Sequence, residues 1–351
     1  MSTPTHASIS PDSGTHWTEP GAWAVAPGVL RIPLPLPTDG LRAVNVYVLV
    51  TDDGLTLIDG GWAIEVSREL LEKSLHDAGF ALGDIRRFLV THVHRDHYTQ
   101  AVTVRREVGA HVSLGIGDKP TLDLVQQRPL EEEPHVRILR EAGAAGLARA
   151  WSDFSRSQTV DRTFWEYPDA WLSTDHRIDL GERALDAVAT PGHTQGHYVF
   201  ADDTAGLLFA GDHVLPTITP SIGFEPVPAA LPLGDFLASL TKVRAMPDLR
   251  LLPAHGPVAP SSHARIDELV SHHDHRLALC LAAVGAGSSA RDIAAELPWT
   301  RHEHALADLD VFNAALAILE TRAHLELLVA RGEVTRTLDD EVVVYATPGP
   351  A

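Results

Sequence analysis

Cysteine is almost absent, with Cys280 the single one. An intramolecular disulfide and a cysteine-rich zinc site are therefore excluded. Cys280 falls in a helical apolar pattern with Leu277, Leu281 and Val284, and reads as core rather than nucleophile. Basic residues are scarce: 28 Lys+Arg stand against 47 Asp+Glu, a net charge of −19. A field of that sign repels phosphate backbones, so nucleic acid is disfavoured as a partner. Long apolar runs are missing as well. None approaches the roughly 18 residues of a membrane span. The first twenty residues have neither a basic n-region nor an apolar h-region, so they are no signal peptide. Residues 1–20, rich in Ser, Thr, Pro and His, read as a disordered leader. The protein is expected to be cytoplasmic and to touch no membrane.

What remains is an acidic chain of 351 residues, 44% hydrophobic, with 20 histidines. That length suits one large domain and a small one. Its central stretch is residues 88–98, FLVTHVHRDHY. The apolar run at its start reads as a buried strand. Four potential ligands, His92, His94, Asp96 and His97, follow at the strand's carboxyl end, where open α/β sheets place their ligands. A turn there lets the four side chains converge. His92 and His94 offer neutral imidazoles to one ion; Asp96 and His97 are placed to serve a second beside it. With so many histidines, chance clusters are expected. One occurs at 271–275, SHHDH, opening a helical pattern. Adjacent residues on a helix point apart, so it reads as a solvated helix face and receives no metal.

Partners for the first cluster recur downstream. The strand 55–59 ends in Asp59-Gly60-Gly61, where a carboxylate can orient a ligand histidine. Strand 184–190 runs into PGHTQGH, with His193 just past the strand end and His197 read as a supporting or core histidine. Strand 205–210 ends in Gly211-Asp212-His213. Strand 250–253 is followed by Ala254-His255-Gly256. Between these lie an amphipathic helix at 64–80 with Val66, Leu70, Leu71 and Leu75 as its stripe, and a helix at 98–108. A segment at 116–177 breaks the α/β rhythm and reads as a helical insertion carrying Trp151, Trp165 and Trp171. A further helix is expected at 236–244, with Asp235 as its N-cap. Residues 276–351 turn helical and end in a hairpin, a winged-helix-like module. From Ala286 on there are 5 Lys+Arg and 11 Asp+Glu, that is 5 − 11 = −6. That sign is wrong for reading DNA and suits an oligomer contact, as in a homodimer, or a pocket wall.

The ordered set of ligands at successive strand ends resembles the metallo-β-lactamase superfamily. Its H-x-H-x-D-H pattern is complete at 92–97, and its Thr-Pro-Gly-His-Thr element stands at 190–194. The resemblance covers the domain at 21–275. It implies an α/β fold, the αββα sandwich, with a dinuclear metal centre at one edge. It implies that His92, His94 and His193 bind a first zinc, that Asp96, His97 and His255 bind a second, and that Asp212 bridges both around a hydroxide nucleophile. Asp59 and His197 would support these ligands from behind. Iron or manganese are alternatives to zinc. The true β-lactamases of the family carry Cys or Ser where Asp212 stands, so a β-lactam substrate is disfavoured. The carboxylate resembles glyoxalase II, the lactonases and the nucleic-acid phosphodiesterases.

The expected function is a dinuclear zinc hydrolase of a small acyl molecule: an ester, thioester or lactone. Asp96 and Asp212 would be central to catalysis. Trp62, Tyr98, His213 and Phe224 are expected to line the substrate pocket. A metal-dependent endoribonuclease or phosphodiesterase is the alternative, drawn from the tail; a metal-stabilised binding protein without turnover is the third reading.

Overall fold

The structure, a computed structural model, describes residues 8–9, 14–37, 40–127, 133–157, 161–300 and 303–349. It forms two compact units. Met1–Gln126, Asp161–Pro220 and Ser239–Asp267 make the first; Gln127–Val160, Ser221–Ala238 and Glu268–Ala351 make the second.

Two sheets build the first unit. The larger contains β1 (Ser8–Ile9), β2 (Trp23–Ala26), β3 (Val29–Pro35), β4 (Ala43–Thr51), β5 (Gly54–Ile58), β6 (Ile85–Leu89), β7 (His111–Gly115) and β8 (Ala170–Leu172), adjacent in that order. β2 through β5 pair antiparallel, and β5 through β8 pair parallel. Parallel neighbours need crossovers. These are α1 (Glu65–Asp77) after β5 and α2 (Arg95–Val108) after β6. The smaller sheet contains β9 (His176–Asp179), β10 (Ala184–Ala189), β11 (Tyr198–Asp202), β12 (Leu207–Gly211) and β13 (Arg250–Pro253), in the order β13-β12-β11-β10-β9.

Strands β3 to β5 are buried along most of their length because both of their faces are covered, and β6 is buried at Ile85, Phe88 and Leu89. Leu30, Ile32, Val44, Val46, Leu57 and Phe88 pack in one cluster with Leu71 and Leu75 of α1 and Ala101 and Val102 of α2. The alternate residues Val29, Tyr47, Leu49, Ile58 and Leu89 face the other way. They pack with Leu185, Phe200, Phe209 and Leu252 of the smaller sheet. Period-two alternation thus sorts one strand set between a helix-facing and a sheet-facing core. Behind the smaller sheet, Ser239 Oγ donates to the Pro191 carbonyl at 2.8 Å and Lys242 Nζ to the Ala189 carbonyl at 2.9 Å. This is the α/β sandwich, and its strand ends gather along one edge.

The second unit carries the helices Pro134–Glu141, Ala145–Ser157 and Val311–Ala330. It also carries a small sheet of β14 (Ser288–Ser289), β15 (Thr335–Asp339) and β16 (Val342–Ala346), ordered β14-β16-β15. Trp151, Phe224 and Phe312 pack ring against ring, with centroids 5.5 to 6.1 Å apart. Among the described residues, no helix is long and apolar enough to cross a membrane.

Several expectations shift. Part of the leader, residues 1–7 and 10–13, lies outside the described residues. Within the rest, Ser8–Ile9 pairs with β2 and Gly14–Thr18 forms a 3-10 turn. That turn is held because Arg31, buried in β3, donates to the Trp17 carbonyl at 2.5 Å. Val66 is exposed, so α1 buries Ser67, Leu71, Ser74 and Leu75 instead. The helix expected from 98 begins at Arg95, inside the ligand motif. Asp235 lies in the first turn of a helix that starts at Pro232, and is not its cap. The stretch 116–177 is shared between the units, with 127–160 in the second. Trp165 and Trp171 pack against the helix-facing core of the first. Of the 271–275 cluster, Ser271, Asp274 and His275 are exposed as a solvated face requires, but His272 is half-buried and His273 fully buried.

Candidate metal centre

β6 is buried at Phe88 and Leu89 and stops where polar side chains begin. His94 then adopts an extended conformation (φ −58°, ψ 151°), and its carbonyl accepts the His97 and Tyr98 amides at 3.0 Å each. The chain reverses at this point. His92 and His94 precede the reversal, while Asp96 and His97 sit on the first turn of α2 behind it. Asp59 ends β5 with φ +62°, a left-handed conformation that a short polar side chain tolerates.

Seven of the expected side chains meet here. His92, His94, His193 and Asp212 form one group, and Asp96, His97 and His255 form another; within each, one donor atom per residue lies within 4.8 Å of the others. Asp212 faces both. Its Oδ2 is 3.4 Å from His193 Nε2, and its Oδ1 is 3.3 Å from His255 Nε2 and 3.6 Å from His97 Nε2. Asp96 Oδ2 stands 3.4 Å from His255 Nε2 and 3.6 Å from His97 Nε2. His94 Nδ1 and His193 Nε2 are 3.1 Å apart. Most of these separations are long for hydrogen bonds. They match the spacing of about 3.3 Å between two donors that share a tetrahedral ion at roughly 2.0–2.1 Å. His92 Nε2, His97 Nε2, His255 Nε2 and Asp212 Oδ1 are buried without a hydrogen-bond partner. Four orphaned buried donors aimed at one volume fit a metal centre and fit little else.

The far side of each ring is fastened. His97 Nδ1 lies 2.9 Å from Asp59 Oδ2 and His255 Nδ1 lies 2.8 Å from the Ala43 carbonyl. Both Nδ1 atoms therefore carry protons, so a neutral ring presents Nε2 as a lone pair. Thr91 holds Asp59 in turn: its amide and hydroxyl donate to Asp59 Oδ1 at 2.7 and 3.0 Å. His197, expected as support, accepts the Asp212 amide on Nε2 at 3.2 Å, while its Nδ1 meets Thr190 Oγ1 at 2.8 Å. Gly211 explains how Asp212 arrives: it has φ +50°, and a Cβ there would sit 2.7 Å from His197 Nε2 and from Thr91 Cβ. No larger residue passes between them.

Burial and charge divide the imidazoles. Burial holds His92 well below the ordinary histidine range and takes His94 down to about 3. At His97 burial also opposes the proton, but Asp59, Asp96 and Asp212 outweigh it and lift the ring to about 10. Asp212 is penalised by burial, yet His255, His97, His193 and His94 hold it well below the carboxylate range.

Two residues at the site escaped sequence reasoning: Thr91, described above, and Asp118. Asp118 is fully buried; its Oδ2 accepts the Val93 amide and its Oδ1 the Gly196 amide, each at 2.8 Å. It joins the loop after β6 to the loop after β10. A Cβ on Gly196 would lie 2.4 Å from the Asp118 amide nitrogen. The glycines at 115, 117 and 196 were the available signal, but Asp118 and Gly196 are 78 residues apart in the chain.

The four expected pocket residues fare differently. Tyr98 is fully buried in the helix-facing core, its hydroxyl on the Glu166 carbonyl, so it is removed from the pocket. His213 is fully buried too, its ring 5.9 Å from that of His197. Phe224 belongs to the aromatic cluster of the second unit, 4.6 Å from His135. Trp62 is half-buried, with the Arg95 guanidinium 4.3 Å over its ring.

Comparison with known proteins gives the family. The family model of the metallo-beta-lactamase superfamily matches residues 39–255. The chain belongs to that superfamily. It is 24% identical over 334 residues to a probable metallo-hydrolase, YqjP, of Bacillus subtilis, covering 91% of this chain and 97% of that one. It is also 24% identical over 245 residues to an atrochrysone carboxyl ACP thioesterase of Paecilomyces divaricatus, covering 70% of this chain and 60% of the relative. Among solved structures, a metallo-beta-lactamase family protein of Thermus thermophilus superposes with a TM-score of 0.76 at 26% identity, covering 93% of this chain and all of the other. A beta-lactamase domain protein of Burkholderia ambifaria gives 0.73 at 28% identity, covering 93% of each. The family and the His/Asp clusters together point to a divalent metal.

Proposed function

We propose that the chain is a dinuclear zinc hydrolase that cleaves a small acyl substrate: an ester, a thioester or a lactone. The observation that carries this reading is Asp212, which turns one carboxylate oxygen to each donor group. His92, His94 and His193 with Oδ2 would hold one ion; Asp96, His97 and His255 with Oδ1 would hold the other. The donors are imidazole and carboxylate only, a set that suits zinc and also accommodates iron or manganese. When bound, such ions supply a water activated near neutral pH and a Lewis acid for the carbonyl oxygen.

The chain's own residues do the rest. Asp59 fixes the His97 proton on Nδ1 and leaves Nε2 as the donor. Thr91 keeps Asp59 in place and also touches His92 Nδ1 at 3.1 Å. His197 holds the Asp212 backbone, and so sets the angle of the shared carboxylate. The thioesterase among the relatives supports the acyl class. The net charge of −19 speaks against RNA.

The experiment is hydrolysis of p-nitrophenyl acetate, a thioester panel and a lactone panel by purified protein, before and after chelation. Turnover that chelation abolishes, zinc restores, and Asp212→Ala lowers by about 100-fold or more is expected. Metal-dependent RNA cleavage with no acyl turnover would replace this reading with the phosphodiesterase one.

A further inference from the structure

A second histidine cluster lies wholly within the second unit. His272 and His273 stand on the helix Ser262–Ala283; Glu320 and His324 stand one turn apart on the helix Val311–Ala330. Their protons can be assigned in sequence. His324 Nδ1 is 2.8 Å from the Glu320 carbonyl oxygen. A carbonyl only accepts, so Nδ1 carries the hydrogen and His324 Nε2 is a lone pair. His273 Nδ1 is 3.2 Å from that Nε2, and must donate to it. The remaining nitrogen, His273 Nε2, is then a lone pair. It is buried and has no hydrogen-bond partner, on a residue with no exposed surface.

An imidazole with its N–H bonded behind and a bare lone pair in front is prepared to ligate a metal. Its companions are of the right kind. One nitrogen of His272, one of His273 and one carboxylate oxygen of Glu320 lie within 4.8 Å of one another. A tetrahedral zinc site needs about 3.3 Å between donors. The difference is within reach of side-chain rotation at His272 and Glu320, both only half-buried. Arg276, whose charge acts on the cluster, has its guanidinium on the Pro298 carbonyl at 2.9 Å and over the Trp299 ring at 4.3 Å.

We propose that His272, His273 and Glu320 form a separate zinc site that ties the helix Ser262–Ala283 to the helix Val311–Ala330, with His324 as the positioning residue that keeps His273 in its ligand tautomer. The site is independent of the strand-end centre, and its role is structural.

The test is zinc content of the full chain by mass spectrometry after dialysis against Zn²⁺. His273→Gln and Glu320→Gln are each expected to hold one zinc equivalent fewer than the unsubstituted chain, with acyl hydrolysis unchanged. The rise in melting temperature on adding zinc is expected to be smaller in His273→Gln than in the unsubstituted chain, since only the strand-end donors remain. Equal zinc in the unsubstituted chain and in Glu320→Gln, or an equal zinc-induced rise in the unsubstituted chain and in His273→Gln, overturns the proposal. Glu320→Gln keeps the test decisive if His273→Gln does not fold. Acyl hydrolysis measured on the same samples reports the strand-end centre separately.

Discussion

At the scale of single residues, the proton on His97 is the pivot. Three carboxylates overcome burial and raise this imidazole to about 10, so the metal-free protein keeps it charged at neutral pH. A metal must displace that proton, which couples loading to pH. Asp59 is the carboxylate that also bonds the ring. Asp59→Asn puts an amide N–H where an acceptor is needed, and favours the wrong tautomer of His97. Metal affinity, read by competition with a chelating dye, is expected to fall about 10- to 100-fold. The same variant has a pH signature. A histidine with a raised folded pKa contributes stability that is complete below its unfolded value of about 6.5 and lost as the pH climbs through the folded value. In chelator, the melting temperature of the unsubstituted chain should exceed that of Asp59→Asn most below about pH 6.5, with the gap closing as the pH climbs towards about 10. A gap that widens with pH contradicts this account of His97.

At the scale of elements, the site depends on loops held in register. Asp118 is the clasp between the loop carrying His92 and His94 and the loop carrying His193. Removing it in Asp118→Ala strands the Val93 and Gly196 amides in a buried setting, at about 1–3 kcal/mol each. A melting temperature lower by several degrees is expected, together with reduced zinc content. Normal zinc and an unchanged melting curve by circular dichroism would remove Asp118 from this role. The clasp also marks where sequence reasoning stops. His92, His94, Asp96 and His97 were legible because they are contiguous and follow an apolar run. His193, Asp212 and His255 were legible because each repeats the strand-then-glycine context and the family pattern supplies the rest. Asp118, the Ala43 carbonyl behind His255 and the burial of His273 were not, because each depends on a partner distant in the chain. Val66 was misread for a related reason: helical periodicity locates a stripe, but the packed surface decides which edge of it stays wet. Tyr98, next to the motif, belonged to α2 and so turned inward.

At the scale of the whole molecule, net charge bears on which substrates approach. The chain carries −19, and two divalent cations would leave −19 + 4 = −15. A field of this sign lowers the local concentration of anions, and its reach shrinks from about 30 Å at 0.01 M salt to about 8 Å at 0.15 M. In the proposed acyl reaction the attacked carbonyl would be neutral, while the tail of a substrate need not be. For an anionic thioester, kcat/KM is expected to rise roughly 2- to 10-fold as salt is raised over that range. A neutral ester of equal size should show no change, since its encounter feels no net force. RNA cleavage would behave in the opposite sense, because a phosphate-binding groove loses counterion-release free energy as salt rises. If kcat/KM for the anionic thioester falls with salt instead, a basic path overrides the global field near the metal centre, and the acidic surface no longer argues for small, weakly charged substrates.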